Sequence, residues 1–350
     1  MSRLNGKRIL VTGGAGFIGS HLVEVLLRTY PDVEVITFDK LTYAGTLDNL
    51  TSVMDDPRHR FVRGDVTRRT DVEAVLPDVQ WVFHLAAETH VDRSLYDPGR
   101  FLETDVWGTF EVLEAARRHG VEGFVHVSTD ELYGSVDEGW AHEQAPIEPS
   151  SPYSASKAAA DRLAHAYAVT FGLPVLIVRP CNAYGPRQFP EKLIPFFIVR
   201  ALQDQPLPLY GDGQNVRDWL YVEDLCQAVR CVAERGLFGT VYNVGAGNLL
   251  PNVEVARRIL AVLGKSESLI QRVPDRPGHD RRYAMDWGRL RRLGWWPTTD
   301  FDRGLRMTVE WYRSHPERWQ ALESDEASRR FYEQHYGPRL GQASDERPRT

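Results

Sequence analysis

The sequence predicts an α/β fold, a Rossmann-type doubly wound parallel sheet with a smaller C-terminal substrate-binding domain. Two observations predict it. Short apolar runs alternate with helical stretches in the first half of the chain, and a glycine-rich loop follows the first run. Most of the runs lack the alternation of a half-exposed strand, as expected for a parallel sheet that is covered on both faces.

The predicted elements alternate along the first 130 residues. The strand candidates are 9–11, 33–38, 61–62, 81–85 and 124–127, and a helix is predicted over 104–119. A later helix at 222–234 and a strand at 240–244 follow a proline-rich stretch. We therefore predict a first domain over 1–187, with segments near 217–247 that return to it, a smaller domain over 188–216 and 248–330, and a disordered tail over 341–350.

Composition argues against several function classes. The 42 Lys and Arg residues against 48 Asp and Glu residues give a net charge of −6, which is unlike a nucleic-acid-binding surface. Cys181, Cys226 and Cys231 are too few for a disulfide framework and lack zinc-ligand spacing. No apolar run reaches the roughly 18 residues of a membrane span, and the chain does not begin like a signal peptide. We expect a cytoplasmic protein without nucleic-acid, membrane or metal partners.

A glycine-rich loop predicts a dinucleotide site. Gly13, Gly16 and Gly19 lie between the first strand and the first helix. Glycines allow a tight turn and the close approach of a pyrophosphate, and the helix N-terminus offers free N–H groups. Asp39 ends the second strand, where a carboxylate accepts ribose hydroxyls and repels a 2′-phosphate. The pattern favours NAD over NADP, and an unrelated glycine turn is the alternative.

Polar residues further along predict redox and acid–base chemistry. Tyr153 and Lys157 are four residues apart, on one face of a helix, where the ammonium is expected to lower the tyrosine pKa from about 10. The tyrosinate then takes the proton of a substrate hydroxyl while hydride leaves the same carbon. Thr129 follows the strand at 124–127 and is placed to hydrogen-bond the reacting oxygen. Asp130 and Glu131 suit an elimination step, and a solvent-facing acid pair is the alternative.

These residues resemble the extended short-chain dehydrogenase/reductase superfamily. The chain up to about Tyr312 is similar to the dTDP-glucose 4,6-dehydratase family within it. The matching stretches are 39–45, 86–94, 182–186, 189–195, 217–224 and 275–283. The resemblance implies an NAD-dependent lyase of deoxysugar biosynthesis that converts dTDP-glucose to dTDP-4-keto-6-deoxyglucose. The expected steps are C4 oxidation, elimination of water across C5–C6 and return of hydride to C6.

The resemblance also implies residue roles. Tyr153 would be the base for C4 oxidation, assisted by Lys157 and Thr129. Asp130 would protonate the C6 hydroxyl, and Glu131 would remove the C5 proton. The implied NAD site comprises Gly13, Gly16, Phe17, Ile18, Gly19, Asp39, Lys40, Leu41, Thr42, Asp65, Val66, Leu85, Ala86, Ala87, Thr104, Tyr153 and Lys157. The implied sugar-nucleotide site comprises Thr89, Thr129, Asn182, Lys192, Leu193, Pro208, Tyr210, Arg217, Asn252, Arg276, His279 and Tyr283.

The sequence departs from the family pattern at three places. Thr89 stands where serine is usual, and Pro180-Cys181 precedes Asn182 where a more polar pair is common. Residues 249–251 are apolar where a polar stretch is expected. The last departure bears on base contacts and therefore on selectivity between dTDP and UDP.

Two other functions stay open: a different nucleotide-sugar dehydratase or epimerase that acts on a UDP-sugar, and a non-catalytic NAD-binding regulator. The acid pair argues against an epimerase, which needs no elimination, and the intact Thr129, Tyr153 and Lys157 set argues against a regulator. Family members pair through two long helices, so the resemblance implies a homodimer through 104–119 and 153–171. Burial inside the monomer is the alternative for their apolar residues Phe110, Val112, Leu113, Leu163, Tyr167 and Val169.

Overall fold

The computed structural model describes residues 2–323 and 326–345. Within these residues it contains strands β1 (Arg8–Thr12), β2 (Glu34–Asp39), β3 (His59–Arg63), β4 (Trp81–His84), β5 (Gly123–Val127), β6 (Val175–Pro180), β7 (Asn182–Tyr184), β8 (Leu207–Tyr210), β9 (Val216–Tyr221), β10 (Thr240–Val244), β11 (Leu249–Pro251) and β12 (Ile270–Val273).

The α-helices of the described residues are α1 (Phe17–Thr29), α2 (Arg69–Val75), α3 (Val91–Ser94), α4 (Pro98–Phe101), α5 (Gly108–His119), α6 (Pro152–Phe171), α7 (Leu193–Leu202), α8 (Val222–Arg235), α9 (Asn252–Leu263), α10 (Gly288–Arg292), α11 (Phe301–Ser314), α12 (Glu317–Glu323) and α13 (Glu326–Asp345). A π-helical turn, Leu102–Trp107, joins α4 to α5, so the predicted helix 104–119 begins inside this turn.

The large sheet is parallel throughout, with the strand order β10-β6-β5-β4-β1-β2-β3 among the described residues. The order reverses direction between β1 and β4, which is the topological switch point where ligands bind in open α/β sheets. The predicted doubly wound parallel sheet is confirmed.

Apolar side chains cover both faces of this sheet. Leu22 of α1 and Leu225 of α8 belong to the core on one face, and Val112 of α5 and Ala164 of α6 belong to the core on the other. Every residue of β4, β5 and β6 is buried, which explains why their sequences do not alternate between apolar and polar residues.

A second region packs beside the carboxyl edge of the large sheet. β11, β9 and β7 form one small sheet, β12 and β8 another, and α7, α9 and α11 share a core with them. The predicted boundaries differ here in detail. β7 and β9 pair with each other although we assigned both to the first domain, whereas β10 does return to the large sheet. The chain changes sheet at Cys181, between β6 and β7.

The last helix runs into the predicted disordered tail. Helix α13 extends to Asp345, into the predicted tail 341–350, and residues 346–350 lie outside the described part of the chain. A helix that has already nucleated gains further residues easily, which polar composition alone does not reveal. Among the helices described, none is long and apolar enough to cross a membrane.

Candidate active site

The loop between β1 and α1 is shaped for close approach. Gly13 has φ +68° and donates its N–H to the Phe38 carbonyl oxygen at 2.9 Å. A Cβ atom on Gly13 would lie 2.8 Å from the Ala86 nitrogen, and one on Gly19 would collide with the Gly13 carbonyl oxygen. No side chain caps the N-terminus of α1 among the described residues. The loop therefore presents free backbone N–H groups, which fit a pyrophosphate.

Asp39 ends β2 beside this loop. Its carboxylate accepts hydrogen bonds from the backbone N–H groups of Ala15 at 3.1 Å and Leu41 at 2.8 Å. Burial raises the pKa of Asp39 despite these bonds. Each carboxylate oxygen has a second lone pair, so the group can still accept ribose hydroxyls.

A cavity of about 310 Å³ lies at the carboxyl edge of the sheet and brings the glycine loop together with the predicted catalytic residues. It is lined by the predicted cofactor residues Gly13, Gly16, Phe17, Ile18, Gly19, Asp39, Lys40, Thr42, Val66, Leu85, Ala86, Ala87, Thr104, Tyr153 and Lys157, and by Thr129, Asp130 and Glu131. Leu41 and Asp65 do not line it, but their chain neighbours Lys40, Thr42, Gly64 and Val66 do.

A second cavity of about 150 Å³ continues from the first, because Glu131, Asn182, Lys192 and Leu193 line both. Thr89 lines the first cavity. The second also holds the remaining predicted sugar-nucleotide residues, Pro208, Tyr210, Arg217, Asn252, Arg276, His279 and Tyr283. One cleft therefore unites the two predicted sites.

Unpaired polar atoms point to the ligand chemistry of the cleft. Asn182 Oδ1, Asn252 Oδ1 and Arg276 Nη1 are buried and have no hydrogen-bond partner within the described chain. Such an atom costs about 1–3 kcal/mol unless a ligand satisfies it. Arg217 stacks 3.9 Å from the Tyr283 ring centroid and lies near Arg276 in the second cavity. Two guanidinium groups fit a diphosphate.

The start of α6 positions the tyrosine and the lysine. Ser151 and Ser154 form a capping box and Pro152 opens the helix, which places Tyr153 in its first turn. Lys157 lies one turn later and donates to the Val127 carbonyl oxygen at 2.8 Å. The predicted lowering of the Tyr153 pKa is wrong. Burial raises it well above its ordinary value, with further contributions from the charges of Glu131 and Asp105, although a hydrogen bond with Thr129 opposes the rise.

The two acids have different surroundings. Burial, followed by the charge of Glu131, raises the pKa of Asp130 well above its usual range, and Asp130 Oδ2 has no partner among the described residues. Burial also raises the pKa of Glu131, but Lys192 and Arg276 favour its carboxylate. Both acids line the cleft rather than facing solvent. The arrangement suits Asp130 as a proton donor and Glu131 as a base.

Sequence reasoning missed the contribution of α13. Tyr336 lines the second cavity and stacks on Tyr210 with centroids 6.1 Å apart. The Asp92 carboxylate accepts a hydrogen bond from the Tyr210 hydroxyl at 2.8 Å, and His335 Nε2 lies 3.3 Å from the same carboxylate. Asp92 belongs to a stretch that we matched to the family, but no local pattern connects it with α13.

The structure shows what surrounds each of the three departures from the family pattern. The apolar stretch 249–251 is β11, in which Leu250 pairs with Arg217 of β9 and so supports the second cavity. Thr89 accepts a hydrogen bond from Lys192 through its carbonyl oxygen, so its extra methyl group leaves that contact in place. Burial raises the pKa of the Cys181 thiol well above its ordinary value, which disfavours the reactive thiolate.

Comparisons with known proteins agree with this geometry. The family model described as GDP-mannose 4,6 dehydratase matches residues 10–308. The chain is 49% identical over 304 residues to the low-salt glycan biosynthesis protein Agl12 of Haloferax volcanii, covering 87% of this chain and 98% of the relative. It is 50% identical over 317 residues to a dTDP-glucose 4,6-dehydratase of Streptomyces griseus, covering 90% and 96%.

A solved structure is similar over the same span. It is DesIV, a dTDP-glucose 4,6-dehydratase of Streptomyces venezuelae, with NAD and dTDP bound. The TM-score is 0.88 at 49% identity, and the match covers 90% of this chain and 99% of that one.

Proposed function

Because the chain belongs to the family that the GDP-mannose 4,6 dehydratase model describes, we propose that it is an NAD-dependent dTDP-glucose 4,6-dehydratase. The observation that carries this proposal is the placement of the Asp130–Glu131 pair in one cleft with Tyr153 and Lys157. A pair of buried acids beside a redox site has a task in water elimination and none in simple epimerisation. The product is dTDP-4-keto-6-deoxyglucose.

Held in the first cavity by the glycine loop and Asp39, NAD would supply the hydride acceptor for C4 of the sugar and the hydride donor for C6. Tyr153 takes the proton of the C4 hydroxyl in its phenolate form, which the positive charge of the oxidised nicotinamide would favour against the burial that raises its pKa. Thr129 is hydrogen-bonded to Tyr153, and Lys157 is held in place by the carbonyl oxygen of Val127. The C4 ketone makes the C5 proton acidic, and Glu131 removes that proton.

Asp130 completes the elimination. Its raised pKa favours the protonated form, which donates a proton to the C6 hydroxyl, and the hydroxyl leaves as water. Glu131 then returns its proton to C5 as hydride arrives at C6. The unpaired Nη1 of Arg276 and the stacked Arg217 bind the diphosphate, and Asp39 binds the adenosine ribose of NAD.

Mass spectrometry tests this function. The enzyme is incubated separately with dTDP-glucose, UDP-glucose and UDP-N-acetylglucosamine, each deuterated at C4. We expect dTDP-glucose to lose one water and to carry the deuterium at C6. Inversion at C4 without a mass change would make the enzyme an epimerase, and faster conversion of a UDP-sugar would reassign the nucleotide.

We also propose a homodimer that pairs through the π-helical turn, α5 and α6. Leu102 and Trp107 of the turn and Val169 and Phe171 of α6 are 51–72% exposed. The other apolar residues expected there belong inside the monomer, since Val112, Leu113 and Tyr167 are in the core, and Phe110 and Leu163 pack against it. The apolar surface that is left for pairing is therefore smaller than the sequence predicted.

Two further proposals concern organisation and location. The division into a cofactor domain and a sugar-nucleotide domain is supported by the two cavities and the separate cores, and limited proteolysis tests it. A cytoplasmic location is supported by the free, buried cysteines Cys181, Cys226 and Cys231, and cell fractionation tests it.

A further inference from the structure

Asp105 is a buried acid that the proposed reaction does not use. It lies in the π-helical turn Leu102–Trp107, and only 1% of its surface is exposed. Its chain neighbour Thr104 lines the cofactor cavity. Turns of this kind are frequent at functional sites, and a carboxyl group this deep is costly unless its surroundings stabilise it.

The carboxyl group connects two parts of the active site. One oxygen accepts a hydrogen bond from the backbone N–H of Glu88 at 2.8 Å, on the loop after β4 that lines the cofactor cavity. The other accepts from the Ser156 hydroxyl at 2.7 Å. Ser156 directly precedes Lys157 on α6. Asp105 therefore ties the cofactor loop to the helix that carries Tyr153 and Lys157.

The charged groups that face Asp105 come from the same two elements. Lys157 favours its carboxylate and Glu88 opposes it, and burial raises the pKa of Asp105 to about 7. In return, the charge of Asp105 favours the ammonium of Lys157, as Asp161 also does, and disfavours the phenolate of Tyr153.

We propose that Asp105 is a positioning residue for the oxidation step, which fixes the Glu88 loop against α6 and whose charge controls the balance between the Tyr153 phenolate and the Lys157 ammonium. A neutral Asp105 makes Tyr153 easier to ionise, and a charged Asp105 makes it harder. The enzyme therefore carries a second titrating group beside the catalytic tyrosine. The activity assay that tests this inference rests on the proposed function.

The first arm of the test is the pH dependence of kcat with dTDP-glucose in the wild type, Asp105→Asn and Ser156→Ala. Asparagine keeps an acceptor for the Glu88 N–H but cannot become charged. We expect Asp105→Asn to move the ascending limb to lower pH by about one unit, with KM within about twofold. Ser156→Ala removes a hydrogen bond that lowers the pKa of Asp105, so the carboxyl group is charged less often but is still present. We therefore expect its ascending limb to lie between those of the wild type and Asp105→Asn.

The second arm needs no substrate. The native pKa of Asp105 exceeds that of an unfolded aspartate, so the wild type loses stability as pH rises from about 4 to about 7. Asp105→Asn lacks this loss. The difference in melting temperature, Asp105→Asn minus wild type, is therefore expected to increase by several degrees between about pH 5 and about pH 8.

Two results would overturn the inference. One is a constant difference in melting temperature across pH. The other is an equal loss of activity at every pH in Asp105→Asn, which a merely structural role would produce. Failure of the proposed function would appear separately, as a wild type that is inactive on dTDP-glucose. The comparison of melting temperatures needs no substrate, so it would still test the inference in that case.

Discussion

The division of labour between Asp130 and Glu131 gives a prediction at the scale of single residues. Asp130→Asn removes the proton donor for the C6 hydroxyl and should lower kcat by roughly 10²–10⁴-fold. Elimination then limits the rate, so the deuterium isotope effect at C4 should vanish. Tyr153→Phe is the matched control, because it slows C4 oxidation and should retain that isotope effect. A full isotope effect in Asp130→Asn would contradict the assignment.

The pH dependence of the same acid follows from its surroundings. Burial and the charge of Glu131 raise the pKa of Asp130 well above its usual range, which favours its protonated form. The active form is therefore present at low pH, and kcat falls as pH rises through the raised pKa. Glu131→Gln removes the neighbouring negative charge and should move this descending limb of the residual activity to lower pH. If the descending limb of Glu131→Gln stays at the same pH in a full pH profile, the ionisation belongs to a group other than Asp130.

Among the helices and turns, the loop between β1 and α1 gives the sharpest prediction. Gly19→Ala places a methyl group against the Gly13 carbonyl oxygen, and an overpacked contact costs about 1–3 kcal/mol. We expect the Kd for NAD, measured by calorimetry, to rise roughly 5- to 150-fold. Gly337→Ala on α13 is the control, because its Cβ atom would meet nothing within 4 Å. Unchanged NAD affinity in Gly19→Ala would show that NAD does not bind at this loop.

The attachment of α6 to β6 depends on a buried ion pair. Arg179 donates two bonds of 2.8 Å to Asp161, and the two side chains are 1% and 0% exposed. Asp161→Asn leaves the guanidinium without its counter-charge and should lower the free energy of unfolding by about 3–5 kcal/mol, measured in urea. Arg162→Gln removes the more exposed cation beside Asp161 and should cost less than about 1 kcal/mol. Equal losses in both variants would contradict this account.

Elements with a strong local pattern could be predicted from the sequence. The apolar runs at 33–38 and 124–127 became β2 and β5, and the periodic stretch at 222–234 became α8. β7 escaped prediction because three residues carry no periodicity and its partner, β9, comes more than thirty residues later. A short strand gains its stability from the partner rather than from its own sequence.

The candidate site divides in the same way. The glycine loop and the Tyr153–Lys157 pair are local motifs, which a sequence displays directly. The contact between Asp92 and His335 joins distant parts of the chain, and the raised pKa of Tyr153 results from burial by several elements. Neither spacing nor composition contains that information.

At the scale of the whole molecule, the exposed apolar face predicts the oligomeric state. Trp107→Glu places a charge on a side chain that is 51% exposed at the proposed dimer face. We expect the dimer to dissociate, as measured by light scattering coupled to size exclusion. Trp296→Glu is the control, since Trp296 is 57% exposed outside that face. A wild-type monomer, or dissociation by both variants, would contradict the proposal.

The strand order of the large sheet also governs how the protein is made on the ribosome. β1 and β4 lie in the middle, and β5, β6 and β10 join one side in the order of their synthesis. Each of these strands meets an open edge as it emerges, so none has to insert between two that are already paired. At about 5–20 residues per second, β10 follows β5 on the order of ten seconds later. The nascent chain can therefore form its glycine loop and the neighbouring strands well before the last strand of the sheet exists.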